Sequence, residues 1–242
     1  ILCATALNLA GTDAQKQAHL PKIASGEAVY AFAIDEAARH HPETINMTAT
    51  KDGNGFRLKG SKRFVACGNG ADMLIVAAKM DDGQTGFFLV DPAADGVTRT
   101  MRRTVDSHVP ADIDFKDVKL DGDAHLSAAQ DGAATLAFIL QAGSACVAAE
   151  ALGIAEESFE RTLDYLKERT QFGASIGSFQ GIQHRAAELL CEIEMARSLV
   201  MKALRSLDNE PSQAPLWIAA AKAKATAVSR FAASEAIQLH GG

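Results

Sequence analysis

Residues 168–180 read Glu-Arg-Thr-Gln-Phe-Gly-Ala-Ser-Ile-Gly-Ser-Phe-Gln. A guanidinium (Arg169), a flat ring (Phe172) and two amides (Gln171 and Gln180) crowd into this short stretch. Arginine offers a planar fork that matches a phosphate in bidentate fashion. A phenylalanine ring can cover the face of another aromatic group. Together these are the parts needed to hold a nucleotide diphosphate. An ordinary surface loop between helices, with an exposed arginine and a buried phenylalanine, would use the same residues.

The flanking elements must hold this loop still. A helix-rich run from 133 ends near Glu168, and Gly173, Ser175, Gly177 and Ser178 turn the link into a loop. Apolar periodicity restarts at Ile182. Ile182, Ala186, Leu189, Ile193, Ala196, Val200 and Ala203 alternate steps of four and three. That stripe predicts a helix over 181–207 lying along a near-parallel neighbour. Asp-Asn-Glu-Pro-Ser at 208–212 is a break. Ser212 is placed to cap a last helix that runs to about Leu239, with Pro215 in its first turns. Three long helices in series predict an antiparallel bundle over 127–242.

Residues 28–126 have a different texture. Short runs rich in β-formers occupy 29–34, 45–50, 56–65, 73–78, 86–90, 97–101 and 111–120. Turn signals such as Asp52-Gly-Asn-Gly55, Asp81-Asp-Gly83 and Asp95-Gly96 separate some of them. The pattern predicts a small antiparallel barrel or sandwich. Residues 1–27 read as helical, with Thr12 or Asp13 capping a helix that Ser25-Gly26 ends. The fold class expected is therefore α+β multidomain, with domains at 1–27, 28–126 and 127–242.

The wording of the loop is more specific than its spacing. Arg-Thr-Gln-Phe-Gly, then Ile-Gly and Phe-Gln, resembles the signature of the acyl-CoA dehydrogenase family, and the resemblance extends over nearly the whole chain. Gly-Thr-Asp-Ala-Gln-Lys-Gln near residue 11 resembles the end of that family's N-terminal helical domain, and Asp114-Phe-Lys-Asp-Val-Lys-Leu120 the closing strand of its β-domain. The resemblance implies FAD as cofactor, an acyl-CoA thioester as substrate, α,β-desaturation as the reaction and an electron-transfer flavoprotein as partner. It also implies a homodimer or homotetramer in which each FAD lies between subunits. The bundle half of that site maps to Arg169, Phe172, Gln180 and the run Gln238-Leu-His-Gly241-Gly242.

The β-domain half departs from the family pattern. Where the family has Thr-Glu-Pro and a Gly-Ser pair, this chain reads Ala33-Ile-Asp-Glu-Ala-Ala-Arg-His-His-Pro42. Where it has Trp-Ile-Thr-Asn-Gly, this chain reads Phe64-Val-Ala-Cys-Gly68. Phe64 can stack on the flavin, but Ala66 cannot donate a hydroxyl hydrogen bond, a loss of roughly 0.5–1.5 kcal/mol. Arg39, His40 or His41 could reach the diphosphate instead, or form a solvated turn before Pro42. The catalytic glutamate lies downstream of the Gly-Gly run in most members. In a minority it lies near the position of Gly143, so no catalytic residue is assigned here. Two other readings follow: a non-catalytic subunit that donates half an FAD site to a partner, or another flavin oxidase or monooxygenase on this fold.

Composition sets the remaining bounds. The 242 residues are 48% hydrophobic and 22% charged, with net charge −6 and pI about 5.6, which argues against a general nucleic-acid binder. No apolar run reaches the roughly 18–20 residues that span a bilayer, so no membrane contact is expected. Cys3, Cys67, Cys146 and Cys191 are scattered and read as buried, reduced thiols of a cytoplasmic protein. The histidine spacing offers no metal motif. A start at Ile1 and a stop at Gly241-Gly242 suggest a piece of a longer chain.

Overall fold

A computed structural model describes residues 1–106 and 108–241. The chain forms two compact units, Ile1–Ile139 and Leu140–Gly242. Their boundary falls inside one long helix, α3 (Gly132–Glu168).

The first unit opens with α1 (Leu2–Ala10) and α2 (Asp13–Ser25). Thr12 and Gln15 form a reciprocal capping box that starts α2, and Gly26 ends it at φ 75. These helices belong to the same unit as the sheet. The Gln15 amide donates to the carbonyls of Asp123 (2.6 Å) and His125 (3.1 Å). The strands are β1 (Tyr30–Ala33), β2 (Thr48–Asp52), β3 (Gly55–Val65), β4 (Met73–Met80), β5 (Thr85–Val90), β6 (Val97–Met101) and β7 (Ala111–Leu120). They follow the expected runs closely.

Their sheet is mixed, with order β1-β4-β2-β3-β7-β6 and β5 added on β4. Both β1 and β2 run parallel to β4, one along Met73–Val76 and the other beside Lys79 and Met80. The other pairings are antiparallel. The antiparallel expectation rested on tight turns, and those turns do join β2 to β3 and β4 to β5. The two parallel pairings are made by distant segments, which no local turn signal reports. Leu58, Leu74, Val76, Phe88, Ile113 and Val118 are fully buried and pack in one hydrophobic cluster.

The second unit contains most of α3, a hairpin of β8 (Thr170–Gln171) and β9 (Ala174–Ser175), α4 (Gln180–Asn209) and α5 (Ala214–Leu239). The predicted stripe on α4 is its buried face: Leu189, Ile193, Ala196, Val200 and Ala203. It meets Ile218, Ala221, Ala225, Val228 and Ala232 of α5. Ser212 does not cap α5. Gln213 precedes the helix without a side-chain cap bond, and Pro215 sits in its first turn, where a missing N–H costs nothing.

Two expectations need correction. By length and composition α3 is apolar enough to cross a membrane. Its alanines carry the pattern without forming an obvious aliphatic run. Ala145, Ala148, Leu152, Ala155 and Phe159 bury one side of it in the bundle core, while Val147 and Ile154 lie exposed on the other. Of the cysteines, Cys3 alone is buried; Cys67 and Cys146 are half-buried and Cys191 is exposed.

Candidate functional site

In the second unit the loop that follows α3 is a tight hairpin. The Arg169 amide continues the helix by donating to Tyr165 O (2.9 Å), and Arg169 O accepts from Ile176 N (2.9 Å). Thr170 pairs with Ser175 and Gln171 with Ala174, which leaves Phe172 and Gly173 as the two turn residues. Their φ values are 55 and 79. Positive φ at both positions is the signature of a type I′ turn, which matches the twist of the strands and favours Asn-Gly. A phenylalanine there is held against its backbone preference. Its ring is 94% exposed and touches Phe179 edge-on, with centroids 6.4 Å apart. The ordinary-loop reading had this phenylalanine buried; instead the turn pushes it into solvent. The Ser175 hydroxyl donates to Leu166 O (2.8 Å) and anchors the base of the hairpin.

The end of α5 comes to the same place. The His240 ring stacks on Tyr165 with centroids 4.3 Å apart, and its Nδ1 lies 2.7 Å from Ala236 O. Arg185 of α4 grips Glu235 of α5 through two bonds, at 2.7 and 2.9 Å. These contacts gather Arg169, Phe172, Gln180, Gln238 and Gly241 at one end of the bundle, and all of them are exposed. Gly241 sits at φ 89, where a side chain would be strained. Gly242 lies outside the described residues. Among the described residues no side chain bonds the Arg169 guanidinium. The site therefore offers an unneutralised fork, a free ring face and two amides, all exposed. Tyr165 and His240 hold it together and escaped sequence reasoning, because 75 positions separate them (240 minus 165). No local pattern links the pair.

In the first unit Phe64 sits at a β-bulge. The register of β3 on β7 slips between Lys62 and Val65, and Phe64 takes φ 50. Its amide is turned to Asp112 Oδ1 (3.0 Å). Asp112 also accepts from Arg102 Nε (2.9 Å) and from Arg102 Nη2. The hydrogen bond from Arg102 holds the Asp112 carboxyl below its ordinary value, outweighing its burial. The Phe64 ring is 61% exposed. It forms part of the wall of a cavity of about 700 Å³, with Glu36, Ala37, Ala38, Thr100 and Arg102 among the other lining residues. Arg63, also on this wall, pairs with Asp114 at 3.1 Å.

Arg39, His40 and His41 do not line this cavity. His40 Nδ1 lies 2.8 Å from Asp35 Oδ2, the His41 amide donates to Asp35 Oδ1 (3.2 Å), and His41 Nδ1 is 3.3 Å from Glu43. The solvated-turn reading describes them. The cavity therefore presents an open aromatic face beside arginines already matched to carboxylates. That chemistry suits a flat, largely uncharged ring, whereas the bundle end suits phosphate. Asp112 and Arg102 were missed in the sequence because their role follows from a one-residue bulge.

Residues 130–242 match the model of the acyl-CoA dehydrogenase C-terminal domain family. The whole chain is 33% identical to a short-chain-specific acyl-CoA dehydrogenase of Megasphaera elsdenii, over 65% of that protein. It is 30% identical to the caffeyl-CoA reductase–Etf complex subunit CarC of Acetobacterium woodii, over 98% of this chain and 64% of that one. The structure resembles that of a glutaryl-CoA dehydrogenase from Mycobacterium smegmatis in complex with FADH2, with TM-score 0.88 and 26% identity over 99% of this chain and 62% of that one. The chain thus spans somewhat less than two thirds of the length of the relatives it matches.

Proposed function

We propose that the chain belongs to the acyl-CoA dehydrogenase family and that it is the flavin-binding part of an enzyme that desaturates an acyl-CoA thioester at the α,β positions. The observation that carries the reading is the outward cluster of Arg169, Phe172, Gln180, Gln238 and Gly241 at one end of the bundle. A site so exposed suits a cofactor held by a second copy of the chain. Arg169 would meet the diphosphate of FAD in bidentate fashion. Phe172 would cover its adenine or ribose side, the two glutamines would bond its polar edges, and Gly241 would let backbone approach closely. On the β-unit, the Phe64 face would support the ring system. When bound, FAD supplies the hydride acceptor of the desaturation. No group in this chain is assigned the α-proton, which a carboxylate from outside residues 1–242 would take. An electron-transfer flavoprotein is the proposed electron acceptor, in line with the Etf complex named for the Acetobacterium relative.

The test is the visible spectrum of the purified protein after incubation with excess FAD and desalting. Retained flavin bands are expected; a colourless protein would refute the reading. One observation favours a second reading. Both cavity arginines are paired with aspartates, while Arg169 is unpaired among the described residues. A subunit so built could lend its bundle end to a partner's flavin and hold none itself. Flavin bound to one chain type only, in a mixed complex, would support that reading, and flavin on both would exclude it.

A further inference from the structure

We infer that the buried Lys62–Glu36 pair is a positioning device for the cavity wall, with Lys62 acting on the cofactor site through the segment it holds. The inference rests on the reading that this cavity takes the flavin ring. Residues 34–47, between β1 and β2, form no strand or helix, yet Glu36, Ala37 and Ala38 line the cavity. Phe64 lines it from β3. Something must tie the irregular segment to that strand, and Lys62 does so. Its side chain is fully buried. Its Nζ donates to Ile34 O (2.9 Å) and to Glu36 Oε1 (2.8 Å). Glu36 in turn accepts from the amides of Asn46 (2.8 Å) and Met47 (3.0 Å), at the far end of the segment. The neighbouring Arg63 amide donates to Asp35 O (2.7 Å). One ammonium and one carboxylate thus clamp both ends of the segment to the strand that carries Phe64.

Burying an ammonium is costly, and a well-packed apolar pair serves stability as well or better. What the ion pair adds is a fixed geometry, because its bonds are directional. Burial lowers the Lys62 pKa against the opposing pull of Glu36. Burial also pushes the Glu36 carboxyl up, but the bonds from Lys62, Met47 and Asn46 outweigh it and hold it low. The Glu36 shift accords with a clamp whose carboxylate is ionised.

The test compares wild type, Lys62→Met, Glu36→Gln and the double variant by two measurements. The first is amide hydrogen exchange in the cofactor-free protein. The second is the Kd for FAD from fluorescence titration. In Lys62→Met, exchange at Asn46, Met47 and Arg63 should rise about tenfold or more while Val76 and Phe88 in the central strands stay protected. The Kd should rise about tenfold or more as well. The double variant removes the uncompensated buried charge, so exchange in its central strands should match wild type while its Kd stays raised. Unchanged exchange at those three amides, or a double variant with wild-type affinity, would overturn the inference. If Lys62→Met does not fold, Glu36→Gln is judged by the same two measurements. Should wild type take up no FAD, the cavity reading falls, and exchange at the three amides still decides whether the pair positions the segment.

Discussion

Phe172→Asn should separate stability from cofactor binding in opposite directions. Phe172 occupies the first turn position of the hairpin at φ 55, next to Gly173 at φ 79. The left-handed region costs an ordinary L-residue roughly 1–2 kcal/mol, and asparagine tolerates it far better. The ring is 94% exposed, so little burial is lost with it. What goes is the edge contact with Phe179, worth at most about 0.5–1 kcal/mol at this exposed position. The balance favours the variant by about 0–1 kcal/mol, which for a chain of this size is a rise in Tm of up to roughly 2–4 °C. Binding should move the other way. Losing an aromatic cover removes about 0.5–1.5 kcal/mol beyond the area it buries, so the Kd for FAD should rise on the order of tenfold. Differential scanning calorimetry and fluorescence titration on one preparation read both quantities. A variant that is less stable by 1 kcal/mol or more, by the scale of single-site effects, yet binds FAD as wild type does, would refute the argument: the ring would then be structural.

Three further outcomes follow. Arg169→Ala should weaken FAD binding by about 10–100-fold, and Arg169→Lys should restore only part of it, because a lysine cannot supply the fork; the thermal midpoint should not move, since the guanidinium has no partner among the described residues. Asp112 is held below its ordinary value of 3.8 by Arg102, so the stability it supplies is complete above that value and is lost as pH falls through its folded value. The stability gap between wild type and Asp112→Asn, from urea titrations at several pH values, should therefore be flat above about pH 5 and shrink below 3.8. Ile193→Ala empties a site that is 2% exposed on the α4 seam and should cost about 2–5 kcal/mol by denaturant unfolding, with FAD affinity following only the folded fraction.

The elements were legible because each rests on local rules. The α4 stripe declares its period, and the Thr12–Gln15 box and Gly26 bracket α2 within a residue of the sequence reading. The tight turns likewise set the β2–β3 and β4–β5 hairpins. What stayed hidden depends on distant pairs. The parallel contacts of β1 and β2 with β4, the stack of Tyr165 on His240 and the grip of Asp112 on the Phe64 amide join residues far apart in the chain. The exposure of Phe172 was hidden for another reason. In Gln-Phe-Gly-Ala only the glycine fits a type I′ turn, whose usual residue at the position of Phe172 is asparagine, aspartate or glycine.

That misfit is itself informative. A backbone preference broken at a residue persists only where the surrounding structure fixes it, and such positions cluster at functional sites. Phe64 repeats the pattern in the other unit: an aromatic at positive φ, 61% exposed, held by a side-chain carboxylate at a bulge. These two exposed phenylalanines at positive φ, each fixed by bonds to its backbone or hairpin base, offer faces on which a flat ring can stack. They differ in their charged company. The cavity arginines Arg63 and Arg102 are spent on Asp114 and Asp112, so the cavity attracts no phosphate strongly. Arg169 has no such partner among the described residues. A dinucleotide satisfies both at once only by placing its ring on one surface and its diphosphate on the other. On the proposed function, a second copy of the chain supplies that other surface. Flavin affinity should therefore depend on protein concentration, weakening as dilution separates the copies. A Kd that stayed constant from concentrated to dilute protein would place the whole cofactor on one protomer and break the argument.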